Sequence, residues 1–126
     1  MLGIGTDIIE INRLRQGTEK YGRRFLERLF TPSEIEFCHS RRDPWGCYAA
    51  RFAAKEAVLK ALGTGLAGCR WTDVEVLPGP GSAPQAHLSG GALKVARQLG
   101  VRRVLISISH DRGRAVAFAI AIGGEE

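Results

Sequence analysis

The chain has 126 residues, 44% of them apolar, and a formal net charge of +5. That length fits one domain able to bury about two-thirds of its extended surface, so a core can form without disulfide or metal staples. No stretch approaches the roughly 20 apolar residues of a membrane helix and no basic leader opens the chain, which gives the expectation of a soluble cytoplasmic protein.

Leu2 to Ile11 reads as a β-strand, with Gly3 and Gly5 as places where another backbone can come close. Asp7 is the anomaly in it. An ionised carboxylate is costly in a low-dielectric interior unless a metal or an opposite charge compensates it. Asp7 is therefore either a turn residue in a shorter strand or the first piece of a site. Arg13 to Arg28 reads as a loop passing into helix. It holds six basic residues against Glu19 and Glu27, contributing +4 of the net +5. Such a run is either a solvated helix face or a surface where Arg forks meet carboxylates or phosphates. Aromatic residues are only 7%, and no GXXG loop, RNP-like motif or zinc-finger spacing occurs. A basic nucleic-acid binder without catalysis is thus the weaker alternative, and an acidic protein is as good a partner.

FTPSEI predicts a helix start, with Thr31 as N-cap, Pro32 at N1, Glu34 at N3, and Phe30 and Ile35 placed as a hydrophobic staple. This helix is expected to end near His39. SRRDP then breaks the chain, and a longer helix is expected from Trp45 to Leu62, closed by Gly63 and Gly65. Val74 to Leu77 reads as a short strand, PGPGSAP as a turn-rich connection and Gln85 to Leu88 as a second strand. Ser89 is the expected cap of a helix ending at Gly100. Arg103 to His110 and Ala115 to Ile122 complete the pattern as a hairpin about the DRG turn. In the last strand Val116, Phe118, Ile120 and Ile122 share one face, expected in the core. The alanines of the other face would let a helix or a neighbouring subunit approach. Cys38, Cys47 and Cys69 are odd in number and lack CxxC spacing, so reduced thiols are expected.

The long helix concentrates chemistry. On a wheel of 100° per residue, Tyr48, Phe52, Val58, Leu59 and Leu62 form an apolar arc with Glu56 at its edge. Lys60 lies one turn beyond Glu56. The pair reads either as an i,i+4 salt bridge worth a few tenths of a kcal/mol, or Glu56 joins Asp7 around a hard divalent cation. Arg51 and Lys55 fall within the arc, where their stems can cover core while their charges reach an edge. The closing GTG reads as a helix cap or as backbone close to a bound group. A phosphate there would face the unfavourable end of the helix dipole, and the motif falls short of GxxxxGK[ST]. In SISHD, His110 shares a strand face with Val104, Ile106 and Ile108. It reads as a core residue, a phosphate ligand or an acid/base group. Ser109 points the other way and no GxSxG elbow occurs, which argues against a serine hydrolase.

GIGTDIIEINR (Gly3 to Arg13), RFAAKEAVLKALGTG (Arg51 to Gly65) and SISHD (Ser107 to Asp111), together with the stretch from Arg23 to Glu34, resemble the bacterial holo-[acyl-carrier-protein] synthases. These form the small single-domain class of 4'-phosphopantetheinyl transferases. The resemblance implies an α+β fold, an antiparallel sheet packed with helices, one domain per chain. It implies Mg2+-dependent transfer of the phosphopantetheine arm of coenzyme A to a serine of apo acyl carrier protein, with release of adenosine 3',5'-bisphosphate. Asp7 and Glu56 match the metal-binding carboxylates, Lys60 the lysine near the pyrophosphate, and His110 the histidine of the nucleotide and phosphate region. Those four are the implied catalytic group. Arg51, with Gly63, Thr64 and Gly65, matches the wall of the coenzyme pocket. Arg13 and Arg23 or Arg24 match residues that meet the acidic helix of the carrier protein. A homotrimer with active sites between subunits is also implied.

Overall fold

The computed structural model describes residues 1–124. β1 (Gly3–Glu10) runs directly into α1 (Ile11–Tyr21), followed by α2 (Arg23–Leu29), α3 (Pro32–His39) and the long α4 (Pro44–Leu62). β2 (Val74–Pro78) and β3 (Pro84–Leu88) form a separate hairpin, then come α5 (Gly90–Leu99), β4 (Val101–His110) and β5 (Arg114–Gly123). The main sheet has the order β1-β5-β4 and is antiparallel throughout.

α4 lies on the main sheet, and small residues on both sides allow its close approach. Ala53, Ala57 and Ala61 of the helix and Ala115, Ala117, Ala119 and Ala121 of β5 are all buried. Gly3 and Gly5 are needed as glycine: a Cβ on Gly3 would stand 1.9 Å from the Ala61 carbonyl oxygen, and one on Gly5 1.9 Å from that of Ala57. Both glycines thus mark close backbone approach, as the sequence predicts.

That approach reverses one expectation. The alanine face of β5, not the bulky one, is the core face, because α4 sits too close for larger side chains. Phe118 is left 52% exposed. It pairs in register with Thr6 and Ser107, and the same outer face carries Ile4, Ile8 and Leu105, each of them exposed.

The predicted start of α3 is formed in full. Thr31 Oγ1 accepts from the Glu34 amide and Glu34 Oε1 accepts from the Thr31 amide, closing a capping box, while Phe30 and Ile35 are buried. α4 starts one residue earlier than predicted, with Asp43 accepting from the Gly46 amide, and ends on Gly63 in the left-handed region.

Two further helix starts differ from expectation. The basic run is helical from Ile11 instead of beginning as loop, with a break only at Gly22 (φ +74°). No side chain caps α1; the amide of Ile11 donates to the carbonyl of Gly113, in the β4–β5 turn. Ser89 precedes α5 but makes no side-chain cap. The carboxylate of Asp73 does so from a distant segment, accepting from the amides of Gly91 and Ala92. The DRG turn is closed by Asp111 Oδ1, which accepts from the amides of Gly113 and Arg114, both at 2.9 Å. These two bonds hold its carboxyl below the usual carboxylate range. All three cysteines are free thiols, as expected.

Candidate functional site

Asp7 lies on the face of β1 that looks toward α4, in line with Gly3, Gly5 and Ile9. The close strand–helix contact leaves its carboxylate partly covered, and the compensating charge comes from α4. Lys60 Nζ sits 3.2 Å from Asp7 Oδ1 and donates to the Thr6 carbonyl at 3.0 Å. The i,i+4 bridge between Glu56 and Lys60 is replaced by this longer-range pair. Glu56 is instead engaged by Trp71, whose indole Nε1 donates to Glu56 Oε1 at 2.5 Å.

Behind this edge stands a second pair. Lys55 Nζ lies 2.7 Å from Glu34 Oε1, and both side chains are fully buried. Lys55 also donates to the carbonyls of Trp71 and Val74, and Glu34 Oε2 accepts from the Val76 amide. Every polar group there has a partner, which makes a buried pair tolerable. The expectation that Lys55 sends its charge to an edge is therefore corrected. Burial pushes its ammonium below the usual lysine range, against the pull of the Glu34 carboxylate.

His110 and Arg51 stand elsewhere. His110 closes β4, on the far side of β5 from Asp7, and packs against the start of α4, where a Cβ on Gly46 would be 3.1 Å from His110 Cε1. Together with Arg41, Arg42, Asp43 and Pro84 these two line an open cavity of about 650 Å³. Arg51 is largely buried with its guanidinium 4.7 Å above the Phe37 ring, and its Nε is a buried donor without an acceptor among the described residues. Within one chain, Asp7 and Lys60 thus meet at the β1 side of α4, with Glu56 one helical turn before Lys60 and bonded to Trp71, while Arg51 and His110 share the cavity at the β4 side.

The amides of Gly63, Thr64 and Gly65 donate back to the carbonyls of Lys60 and Leu59, so this turn caps α4. Arg13, Arg23 and Arg24 are exposed on α1 and α2; Arg23 is 3.7 Å from Glu27 across one helical turn. Three contributors escaped the sequence reading. Arg41 and Arg42 were legible only as part of a chain break, and Trp71 carried no signal because its partner is 15 residues away on another element.

Asp7 and Glu56 offer carboxylate oxygens, the donor type that a hard ion such as Mg2+ takes. Among the described residues no three His, Cys, Asp or Glu side chains cluster as a cage. Among the described residues Lys60 donates to Oδ1 of Asp7 and Trp71 to Oε1 of Glu56, so each carboxylate keeps a second oxygen. Mg2+ binds in this fashion, through one or two carboxylates with waters and substrate phosphates.

Residues 3–119 match the model of the 4'-phosphopantetheinyl transferase superfamily. The chain is 54% identical over 126 residues to the holo-[acyl-carrier-protein] synthase of Desulforudis audaxviator, covering all of this chain and 96% of the relative. Among solved structures, the Neisseria meningitidis holo-[acyl-carrier-protein] synthase superposes with a TM-score of 0.89 at 31% identity, over 97% of this chain and 98% of that one. The Helicobacter pylori enzyme in complex with coenzyme A gives 0.83 at 32%, over 94% and 99%.

Proposed function

Because the chain belongs to the bacterial holo-[acyl-carrier-protein] synthases of the 4'-phosphopantetheinyl transferase superfamily, we propose that Asp7, Glu56 and Lys60 form its phosphoryl-transfer centre. The enzyme transfers phosphopantetheine from coenzyme A to apo acyl carrier protein. One observation carries the site: a strand carboxylate, Asp7, faces the helix that bears Glu56 and is balanced by Lys60 instead of being buried in a closed pair.

In this reading Asp7 and Glu56 hold Mg2+, which supplies positive charge to the diphosphate of coenzyme A. Lys60 adds its own charge on the same side, where charge develops on the phosphate oxygens. The serine hydroxyl of the carrier protein attacks the phosphorus attached to pantetheine, and adenosine 3',5'-bisphosphate leaves. Glu56 orients the water that takes the serine proton, with His110 the second candidate base. Arg51 and His110 take the nucleotide end. The support is the large cavity they share with Arg41 and Arg42, and the Arg51 Nε that lacks an acceptor. Gly63, Thr64 and Gly65 shape the pocket wall through their small size, since their amides are engaged by α4. Arg13, Arg23 and Arg24 present charge to the acidic carrier protein.

We propose the homotrimer that the family resemblance implies, and two observations support contact between copies. The two groups of site residues lie on different sides of α4, which suits a centre completed by a second copy. The outer sheet face exposes Ile4, Ile8, Leu105 and Phe118, an apolar patch that needs covering. No helix among the described residues is long and apolar enough to cross a membrane, and we place the reaction in the cytoplasm, where coenzyme A and the carrier protein meet.

The test is intact-protein mass spectrometry of apo carrier protein mixed with the enzyme, coenzyme A and Mg2+. Gain of one phosphopantetheine mass, abolished by chelator, is the expected result. An unmodified acceptor that a Neisseria meningitidis-type synthase converts under the same conditions would reject the assignment.

A further inference from the structure

Trp71 occupies an unusual place between the buried core and Glu56. Its ring packs beside Phe52, with centroids 5.9 Å apart, and also borders an open cleft lined by Arg28, Leu66, Cys69 and Arg70. The backbone that carries it is clamped from behind: Lys55 donates to the Trp71 and Val74 carbonyls, and is itself held by Glu34. Lys55 and Glu56 are sequence neighbours. One fixes the segment from inside the core, and the other receives that segment's indole N–H.

The chemistry of this donor matters. A glutamate on a helix has several accessible rotamers, and an ion ligand that must be ordered first binds weakly. A second donor fixes one oxygen and leaves the other for the ion. An indole N–H is neutral and cannot lose its proton under working conditions. It therefore orders the carboxylate without competing for it as a cation would, unlike Lys60 beside Asp7. Phenylalanine would fill nearly the same space but offer no N–H.

We propose that Trp71 is a positioning residue of the transferase, orienting Glu56 for Mg2+ through a single indole hydrogen bond whose donor is anchored by the buried Lys55–Glu34 pair. This rests on the assignment of Glu56 as an ion ligand. It acts through Glu56 and needs no contact of Trp71 with coenzyme A.

The experiment uses the full chain. In W71F, Mn2+ affinity measured by electron paramagnetic resonance with coenzyme A present should fall about tenfold or more. The Mg2+ concentration for half-maximal transfer should rise alike, and coenzyme A affinity without metal should be unchanged. A merely structural tryptophan would lower the melting temperature and leave these metal terms alone. Independently of whether W71F folds, the indole resonances of the 15N-labelled wild type can be followed, with W45F assigning the two tryptophans. The Trp71 signal should move in E56Q and on adding Mg2+ with coenzyme A. A Trp71 signal indifferent to both changes, or W71F binding Mn2+ like the wild type, overturns the proposal. A wild type that transfers phosphopantetheine but whose Mn2+ affinity is unchanged in E56Q would overturn the ligand role of Glu56, and the positioning role with it. A wild type that transfers nothing would instead reject the functional reading itself.

Discussion

Lys60 Nζ reaches Asp7 Oδ1 at 3.2 Å from a helix 53 residues further along the chain, pairing the most anomalous carboxylate of β1 with the cation expected near the transferred phosphate. The lysine side chain is more than half exposed, so as a structural bridge it is worth at most about 1 kcal/mol. Its larger role, on the proposed assignment, lies in the reaction. K60M should leave the melting temperature within a few degrees of wild type and reduce transfer about 100-fold, the scale seen when one transition-state donor is removed. A large thermal loss with turnover kept would make Lys60 a structural residue.

Lys55 presents the opposite case on the same helix. It is fully buried with Glu34, and removing one partner strands the other charge in the core, a cost of about 3–5 kcal/mol. K55M should therefore shift the urea midpoint sharply while K60M does not. Chemical denaturation of both variants side by side checks the contrast.

Arg13 lies exposed on α1, away from the cavity that holds Arg51 and His110. R13E should raise KM for the carrier protein at least several-fold, more so at low salt, with the affinity for coenzyme A kept. Steady-state kinetics with each substrate varied separates the two. Equal losses would move Arg13 to the nucleotide site.

Phe118 sits on the outer sheet face opposite the alanines that meet α4. F118R places a charge on the proposed contact between copies without touching the core. Light scattering should report a smaller species than for wild type, and transfer should fall as the centre between copies is lost. An unchanged mass would take the interface elsewhere.

Tyr48 gives a pH dependence. Burial pushes its hydroxyl from 10 up to about 12, and the hydroxyl lies 3.4 Å from the Ile35 carbonyl. Between those two values the unfolded chain releases this proton and the folded chain keeps it, so stability is complete below pH 10 and declines as pH rises toward 12. Y48F should flatten that part of the alkaline unfolding curve, measured by circular dichroism.

Much of the fold was readable because it is written locally. Thr31, Pro32 and Glu34 announce α3 within four residues, Gly63 ends α4, and alternation marks β4 and β5. The candidate site was partly readable for a different reason. A carboxylate in an apolar strand and another at the edge of an apolar helix face are local misfits whose cost calls for a counter-charge. The starts of α1 and α5 were not readable, since their amides are satisfied by Gly113 and Asp73 from distant segments.

What the sequence by itself determined is therefore most of the elements, though not the division of the basic run into α1 and α2, together with the three free thiols and the identity of the residues that carry charge into the chain's apolar stretches. Which partner each charge takes was decided only in three dimensions. Lys60 chooses Asp7 over Glu56, Lys55 turns inward to Glu34, and Trp71 arrives at Glu56. The outward turn of Phe118 was likewise settled by packing, because the glycines and alanines under α4 let backbones meet so closely that only the small face of β5 fits beneath it. Periodicity specifies which side chains share a face. Contact distance between layers specifies which face is the inside.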